Sequence, residues 1–232
     1  MNPVSELERR LGVVFRDKNL LKQALAHRSY LNENREWSLG SNERLEFLGD
    51  AVLELVVTEF LFRRYPNKPE GKLTEYRAAL VNGETNAAAG IAFGINDCLL
   101  LSKGEAKDTG RARELIIADA FEAVIGAVYL DQGYPVAENL IACCVLSKAD
   151  SIINVGFLRN TKSRLQELVQ ERMAVTPSYR VISETGPDHK KEFLVGVFFG
   201  DDLVAQGAGT SKKLAEEKAA QAALVSKGWT TA

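Results

Sequence analysis

The chain has 232 residues, of which 46% are hydrophobic and 26% are charged, and its formal net charge at pH 7 is −2. This length fits one large domain or two modest ones, and the apolar fraction is enough to fill their cores. A net charge so near zero does not indicate a nucleic-acid partner by itself, so any such indication has to come from where the charges lie.

Three features of the sequence argue against several classes of protein: the spacing of the cysteines, the charged N-terminal segment and the short apolar run at residues 115–130. The three cysteines form neither a disulfide framework nor a zinc-binding spacing, which favours a reducing, cytoplasmic setting. The N-terminal segment carries charges where an export signal needs an apolar run, so we expect no export signal. Residues 115–130 are too short to span a bilayer comfortably and hold two acids, so we interpret them as a buried core helix and expect no membrane partner.

The predicted elements are all helical up to about residue 156. Apolar residues recur there at spacings of three and four, and prolines or glycine-bearing polar loops separate the segments. We find no strong strand pattern, internal repeat or low-complexity segment in this part. The predicted helices cover residues 3–15, 17–33, about 42–65, 72–95 (one or two helices), about 113–130 and 135–153.

The pattern changes after about residue 156. A short amphipathic helix is followed by three segments that alternate as strands, separated by turns rich in glycine and aspartate, and by a final helix. The fold class predicted is therefore an all-α domain followed by a small α+β domain of order α-β-β-β-α. The predicted boundaries are residues 1–156 for the first domain, 157–159 for a short linker and 160–229 for the second domain.

The long predicted helix near residue 50 carries an unexpected stripe of acids. Glu43, Glu46 and Asp50 are spaced i, i+3 and i+7, which places them within an arc of roughly 60° on one side of a mostly apolar helix. Like charges on adjacent turns repel, so this arrangement lowers stability unless a cation or a basic partner offsets the charge.

A second apolar helix repeats this pattern. Asp119 and Glu122 share a face and are the only charges between Leu115 and Leu130. A helix that is apolar nearly all round is buried, and burying an unpartnered carboxylate is costly. Two such helices in one domain favour a contact between their acidic faces. The predicted cluster of four carboxylates consists of Glu46, Asp50, Asp119 and Glu122.

Two kinds of partner would satisfy the four-carboxylate cluster. Mg²⁺ is a hard cation that takes carboxylate oxygens and water as ligands, and beside a phosphodiester it activates water for hydrolysis. The alternative is an internal salt-bridge network with Arg44, Arg77 or Arg113. Acidic pairs in two separate apolar helices favour the cation over the salt bridges.

These segments carry a resemblance to a known family. The stretch "NERLEFLGDAVL" resembles the signature of the bacterial ribonuclease III family, and "ADAFEAVIGAVYLDQG" is similar to that family's second acidic helix. The flanking "ALAHRSY" and "GRAR" also match. The resemblance implies a helical domain that forms a homodimer, binds Mg²⁺ with Mn²⁺ as a possible substitute, and hydrolyses double-stranded RNA.

The same resemblance implies roles for individual acids. Asp50 and Glu122 are implied to be catalytic, and the metal ligands are implied to be Glu46, Asp50, Asp119 and Glu122. Glu43 and Glu70 match family acids that have a supporting role near the cleft or the dimer junction.

The last predicted helix begins with two lysines. Lys212 and Lys213 lie in its first turn, where the positive end of the helix dipole makes a cation unfavourable by roughly 0.3–1 kcal/mol each. A phosphate would reverse this effect, because amide donors and lysines would face one anion. The alternative is an exposed helix that tolerates its lysines, with Glu216 and Glu217 as local partners.

The rest of the second domain favours the phosphate. Short uncharged side chains on one face of its first helix suit the 2′-hydroxyls of a shallow RNA minor groove, and the "GPDHKKE" turn presents further contacts at its tip. The segments "LQEL", "GPDHKKEF" and "SKKLAEEKAA" are similar to the contact regions of double-stranded RNA-binding domains. The predicted RNA-binding residues are Ser163, Gln166, Gln170, Pro187, His189, Lys212 and Lys213.

Together these predictions describe a Mg²⁺-dependent endoribonuclease specific for double-stranded RNA. Its products would have 5′-phosphate and 3′-hydroxyl ends with short 3′ overhangs, and the resemblance implies processing of ribosomal RNA precursors and structured messenger RNAs. No small-molecule cofactor is expected. Two competitors are a dimeric double-stranded RNA binder that does not cleave, and a metal-dependent hydrolase of another substrate.

Overall fold

A computed structural model describes the backbone of residues 3–187 and 191–229, and the side chains of these residues apart from 3 and 154–160. The chain divides into two compact units, residues 1–152 and 153–232. The predicted domain boundaries stay a prediction. The predicted linker, residues 157–159, lies within a helix that runs from Ala149 to Met173.

The first unit is built from helices. Two long helices, over residues 43–64 and 111–132, lie at its centre, as their apolar periodicity predicts, and shorter helices pack around them. None of the helices in the described part of the chain has the length and apolar character that crossing a membrane requires. The helices are α1 (Pro3–Leu11), α2 (Lys18–Ala24), α3 (Arg28–Glu33), α4 (Glu43–Arg64), α5 (Glu70–Leu80), α6 (Gly83–Phe93), α7 (Arg111–Gln132), α8 (Tyr134–Cys144) and α9 (Ala149–Met173), the last of which ends in the second unit.

The helical pattern of residues 17–33 is divided between α2 and α3. Ala26 forms a parallel β-bridge with Leu100, and the backbone N–H of His27 donates to the Leu100 carbonyl oxygen at 3.1 Å. The N–H of Leu100 in turn donates to the Leu25 carbonyl oxygen at 2.9 Å. These bonds to a distant loop replace helical ones, so the chain turns at this point.

α7 is the buried centre of the first unit, as predicted for residues 115–130. Eleven of its residues are buried, including Phe121, Val124 and Ile125. α4 contributes the facing apolar side chains Leu53 and Val57, both fully buried. Shorter helices pack against this pair, and at its contact Glu46, Asp119 and Glu122 are half-buried whereas Asp50 is exposed.

The second unit has the predicted α-β-β-β-α order. After the C-terminal part of α9 come β1 (Pro177–Thr185), β2 (Glu192–Phe199), β3 (Asp202–Gly209) and α10 (Lys212–Ser226), with the strands antiparallel in the order β1-β2-β3. One face of the sheet packs on the helices around a core that includes Leu165, Val197 and Leu224.

Two glycines of β3 bring the sheet against α10. A Cβ on Gly207 would lie 2.2 Å from the backbone nitrogen of Ala219, and one on Gly209 would lie 2.7 Å from that of Ala215. No side chain fits there, so the strand touches the helix backbone directly. This contact fixes where the first turn of α10 lies.

Candidate functional site

The contact between α4 and α7 depends on two glycines. A Cβ on Gly49 would lie 1.8 Å from the carbonyl oxygen of Glu122, and a Cβ on Gly126 would lie 2.2 Å from that of Leu45. The two helices therefore meet backbone to backbone. Glu46 and Asp50 are the sequence neighbours of Leu45 and Gly49, so this contact brings the acids of α4 to those of α7.

The four predicted acids act on one another electrostatically. Burial raises the pKa of Glu122 to about 7, with the charge of Asp50 next and smaller increases from Glu46 and Asp119. Burial also raises the pKa of Glu46, and the charges of Asp119, Glu43 and Asp50 add to the shift. We call Glu46, Asp50, Asp119 and Glu122 the acid cluster.

His27 lies within electrostatic reach of the acid cluster. Burial raises the pKa of Asp119, and His27 opposes that shift. The imidazole Nδ1 of His27 accepts a hydrogen bond from the backbone N–H of Ser29 at 3.3 Å, which caps α3. A structural role at the start of α3 therefore accounts for the contacts of this histidine.

Asn86 is a member of the site that the sequence interpretation missed. It is fully buried in α6, and its Nδ2 donates to Glu122 Oε1 at 2.6 Å. This bond lowers the pKa of Glu122 and so opposes the effect of burial. The available signal was an amide side chain directly before the small, apolar run "AAAGIAF", where a helix needs no polar group.

The alternative salt-bridge network does not form around the acid cluster. Arg77 Nη1 donates to Thr58 Oγ1 at 3.2 Å, and Arg113 Nε donates to Asn96 Oδ1 at 2.7 Å. Across residues 3–187 and 191–229, no ion pair with a lysine or arginine includes a member of the acid cluster. The negative charge of the cluster is therefore not neutralised by basic side chains of the described chain.

The predicted RNA-binding residues of the second unit lie at its surface. Ser163, Gln166 and Gln170 are exposed on α9. Lys212 and Lys213 are exposed in the first turn of α10. Ser211 caps this helix, because its side-chain oxygen accepts a hydrogen bond from the backbone N–H of Leu214 at 3.2 Å. Pro187 is exposed where the described turn ends. His189 lies outside the described residues.

Comparison with known proteins agrees with both parts of this description. Residues 17–149 match the family described as Ribonuclease-III-like, and residues 161–226 match the Double-stranded RNA binding motif. A protein named Ribonuclease 3 from Enterococcus faecalis is 44% identical over 96% of both chains, and one from Bdellovibrio bacteriovorus is 46% identical over 94% of this chain and 93% of its own. The chain belongs to the ribonuclease III family.

A solved structure extends this likeness to three dimensions. The nuclease domain of ribonuclease III from Campylobacter jejuni is 41% identical, with a TM-score of 0.55, and the match covers 61% of this chain and 97% of that one. A second crystal structure of that domain gives the same identity and TM-score. The helical arrangement that holds the acid cluster is thus the ribonuclease III nuclease fold.

The two supporting acids lie in different surroundings within this ribonuclease III fold. Glu43 is exposed at the edge of the acid cluster, where it accepts from Ser41 Oγ at 2.8 Å and raises the pKa of Glu46. Glu70 begins α5 and accepts from Thr74 Oγ1 at 3.1 Å. Its charge is not among the described groups that shift the pKa of the acid cluster.

The acid cluster fits a hard divalent cation by its chemistry. Carboxylate oxygens are the ligands that Mg²⁺ and Mn²⁺ prefer, and the pKa values of Glu46 and Glu122 are raised first by burial and then by neighbouring negative charge, which a cation would offset. In the part of the chain that the structure describes, no group of three or more His, Cys, Asp or Glu side chains is placed so that it could hold a metal ion. The fit is therefore one of donor chemistry, and the side chains as placed do not form a coordination site.

Proposed function

We propose that this chain is a divalent-metal-dependent endoribonuclease that cleaves double-stranded RNA. The observation that carries the proposal is the acid cluster between α4 and α7, in a chain that also has a double-stranded RNA binding motif. A binding protein has no need for four mutually repelling carboxylates, three of them (Glu46, Asp119 and Glu122) half-buried. A hydrolase of another substrate has no need for the second unit.

The acid cluster would hold Mg²⁺, with Mn²⁺ able to replace it. The ligands would be Glu46, Asp50, Asp119 and Glu122, with Asp50 and Glu122 closest to the chemistry. When bound, the cation supplies an activated water and charge stabilisation for the leaving oxygen of the phosphodiester. Hydrolysis in which the leaving oxygen is the 3′ oxygen leaves a 5′-phosphate and a 3′-hydroxyl.

The carboxylates themselves set the conditions for this chemistry. With a pKa of about 7, Glu122 holds a proton for much of the time near neutral pH until a cation displaces it. Cation binding therefore releases a proton and becomes tighter as pH rises. The partly buried position of Glu122 also limits competition from bulk water for the cation.

A homodimer is the second part of the proposal. Phe47, Leu55 and Phe62 are exposed by 83%, 56% and 72%, and their spacing along α4 places them within an arc of about 80°. We call these three residues the α4 apolar stripe. Exposed apolar patches of this kind mark protein interfaces, and a second copy of the chain would cover the stripe.

Two acid clusters in one dimer would each cut one strand of the duplex. The offset between the two cuts would leave short 3′ overhangs. The second unit would grip the duplex through polar side chains of α9, the lysines of α10 and the turn that carries Pro187 and His189. Such a domain spans about 16 bp and recognises the shape of the duplex more than its sequence.

The cellular role proposed is the processing of ribosomal RNA precursors and of structured messenger RNAs in the cytoplasm. The spacing of Cys98, Cys143 and Cys144 in the sequence is not that of a disulfide framework, in keeping with a reducing compartment. Long, regular duplexes in these transcripts are the substrates that a shape-reading domain selects.

A gel cleavage assay on a long RNA duplex tests the proposal. Wild type and Glu122→Gln are compared in Mg²⁺ and in Ca²⁺, with duplex binding measured in parallel. We expect wild type to cut in Mg²⁺ and the variant to lose roughly three orders of magnitude in rate while it still binds the duplex. Binding without cutting in every lane would leave a non-cleaving double-stranded RNA binder.

A further inference from the structure

We infer that Asn86 is a positioning residue whose side-chain amide restrains the Glu122 carboxylate at the site where the divalent cation would bind. The inference rests on the proposed function, because it concerns the same acid cluster. It adds a residue from a third helix, α6, to a site otherwise built from α4 and α7.

The amide of Asn86 connects three parts of the fold. Its Nδ2 donates to Glu122 Oε1 at 2.6 Å and also to the backbone carbonyl oxygen of Val81 at 3.3 Å. Val81 directly follows α5, Asn86 is the fourth residue of α6, and Glu122 belongs to α7. The amide nitrogen, which carries two hydrogens, thus has two acceptors, and rotation of the amide plane would weaken these bonds.

Only one oxygen of the Glu122 carboxylate is used in this way. Oε1 accepts from Asn86, and across the described part of the chain no hydrogen bond to Oε2 is formed. An ionised carboxylate only accepts hydrogen bonds, so the amide nitrogen is the group that must face it. The bond to Oε1 fixes the carboxylate from the side of α6 and leaves Oε2 for a ligand.

The surroundings of Asn86 show that packing alone does not explain it. The side chain is fully buried, and its Oδ1 has no hydrogen-bond partner among the described residues. A buried acceptor without a partner lowers stability, and asparagine is a poor helix former compared with the alanines that follow it. An apolar residue of similar size would serve helix packing better. The feature that only the amide supplies is the bond to Glu122.

This position matches the way proteins orient metal ligands. A ligand side chain is commonly fixed by a hydrogen bond from a neighbour that does not itself touch the metal, and loss of that neighbour typically weakens metal binding by about 10–100-fold. Asn86 would be such a neighbour of the Glu122 carboxylate. Removing it would let the Glu122 side chain sample other rotamers and would leave it without its donor.

Binding of Mn²⁺ to the full-length, RNA-free protein gives a direct test. Free Mn²⁺ is measured by electron paramagnetic resonance for wild type, Asn86→Leu, Asn86→Ala, Glu122→Gln and the double variant Asn86→Leu/Glu122→Gln. The matched control is Thr85→Ala, because among the described residues Thr85 Oγ1 bonds to the Ala79 carbonyl oxygen alone, at 3.1 Å, and not to the acid cluster. Circular dichroism and duplex RNA binding without metal establish that each variant is folded.

We expect Asn86→Leu to weaken Mn²⁺ binding by about 10-fold or more, and Thr85→Ala to leave it unchanged. If Asn86 acts through Glu122, the double variant binds Mn²⁺ no more weakly than Glu122→Gln alone. Asn86→Ala keeps the test open should the larger leucine disturb folding.

Different results would overturn different claims. Unchanged Mn²⁺ affinity in both Asn86 variants, together with weaker binding in Glu122→Gln, would refute the positioning role and leave the metal site intact. Full additivity in the double variant would also refute it, since Asn86 would then act independently of Glu122. Wild-type affinity in Glu122→Gln would overturn the proposed metal site and the inference with it.

Discussion

The two units of the chain present their functional groups in opposite ways. In the first unit, acids meet where α4 and α7 touch, and burial raises the pKa of Glu46 and of Glu122. In the second unit, the predicted RNA contacts are exposed polar side chains on α9 and α10. A buried site depends on the packing beneath it, whereas an exposed site depends mainly on the helices that carry it. Mutations should separate the two behaviours.

The largest effect is expected where the α4–α7 contact leaves no room for a side chain. Gly49→Ala would place a methyl group 1.8 Å from the Glu122 carbonyl oxygen, so the helices must separate. We expect a loss of about 3 kcal/mol or more in the stability of the first unit, because overpacking against backbone cannot relax through a rotamer change. Thermal unfolding and cleavage rates measure the effect.

Substitutions at two further glycines serve as controls for the effect of Gly49→Ala on the first unit. Gly71→Ala is the control within the first unit, because no atom lies within 4 Å of the added Cβ, and its stability should stay the same or rise slightly. Gly207→Ala should impair the second unit instead and weaken duplex binding. Loss of RNA binding in Gly49→Ala, with the acid cluster unaffected, would contradict the division between the units.

The next effect concerns the α4 apolar stripe. Phe47→Glu places a charge where Phe47, 83% exposed, would be covered by the second copy of the chain. Burying an unpaired charge in an interface is unfavourable by several kcal/mol, so we expect dimer affinity to fall by about 100-fold. Sedimentation velocity across a concentration series measures the change. Val14→Glu is the control, because Val14 is also highly exposed but lies outside α4. Equal dissociation of the dimer in both variants would refute the proposed interface.

Most helices could be predicted because their apolar spacing is a local property of the sequence. The grouping of Glu46, Asp50, Asp119 and Glu122 could also be predicted, since each acid stands out against an apolar helix. The break between α2 and α3 could not, because it depends on the bridge between Ala26 and the distant Leu100. Asn86 was missed for the same reason. Its partner Glu122 is 36 positions away, and a single amide in a helix does not disclose which side chain it will meet.

The pH dependence of stability should distinguish the buried acids from exposed ones. Burial raises the pKa of Glu122 from 4.5 to about 7. Between these values the folded protein binds more protons than the unfolded chain, so the metal-free protein loses stability as pH rises from about 4.5 to about 7. After discounting for partial exposure we expect a loss of about 2 kcal/mol from this residue.

Denaturant unfolding of the metal-free protein at several pH values measures this loss. Glu122→Gln should reduce the pH dependence, whereas Glu54→Gln, which removes an exposed carboxylate of α4, should leave it as in wild type. Saturating Mg²⁺ should reverse the trend, because the cation favours the ionised carboxylates. A wild-type slope in Glu122→Gln would show that this residue does not carry the effect.

The smallest effect is expected at the exposed lysines of α10. Replacing Lys212 and Lys213 by alanine removes two positive charges that would face phosphates, without disturbing the core, so we expect duplex binding to weaken about tenfold at ~0.15 M salt. The slope of log affinity against log salt concentration should fall in magnitude by about 2, because each lysine neutralises one phosphate. Filter binding in Ca²⁺ at several salt concentrations measures both the affinity and its salt dependence.

The control for the two lysines is Lys227→Ala, at the opposite end of the same helix. Because both lysine side chains are exposed, thermal stability should stay within about 0.5 kcal/mol of wild type. A large loss of stability with an unchanged salt slope would show that the lysines support the fold instead of binding RNA.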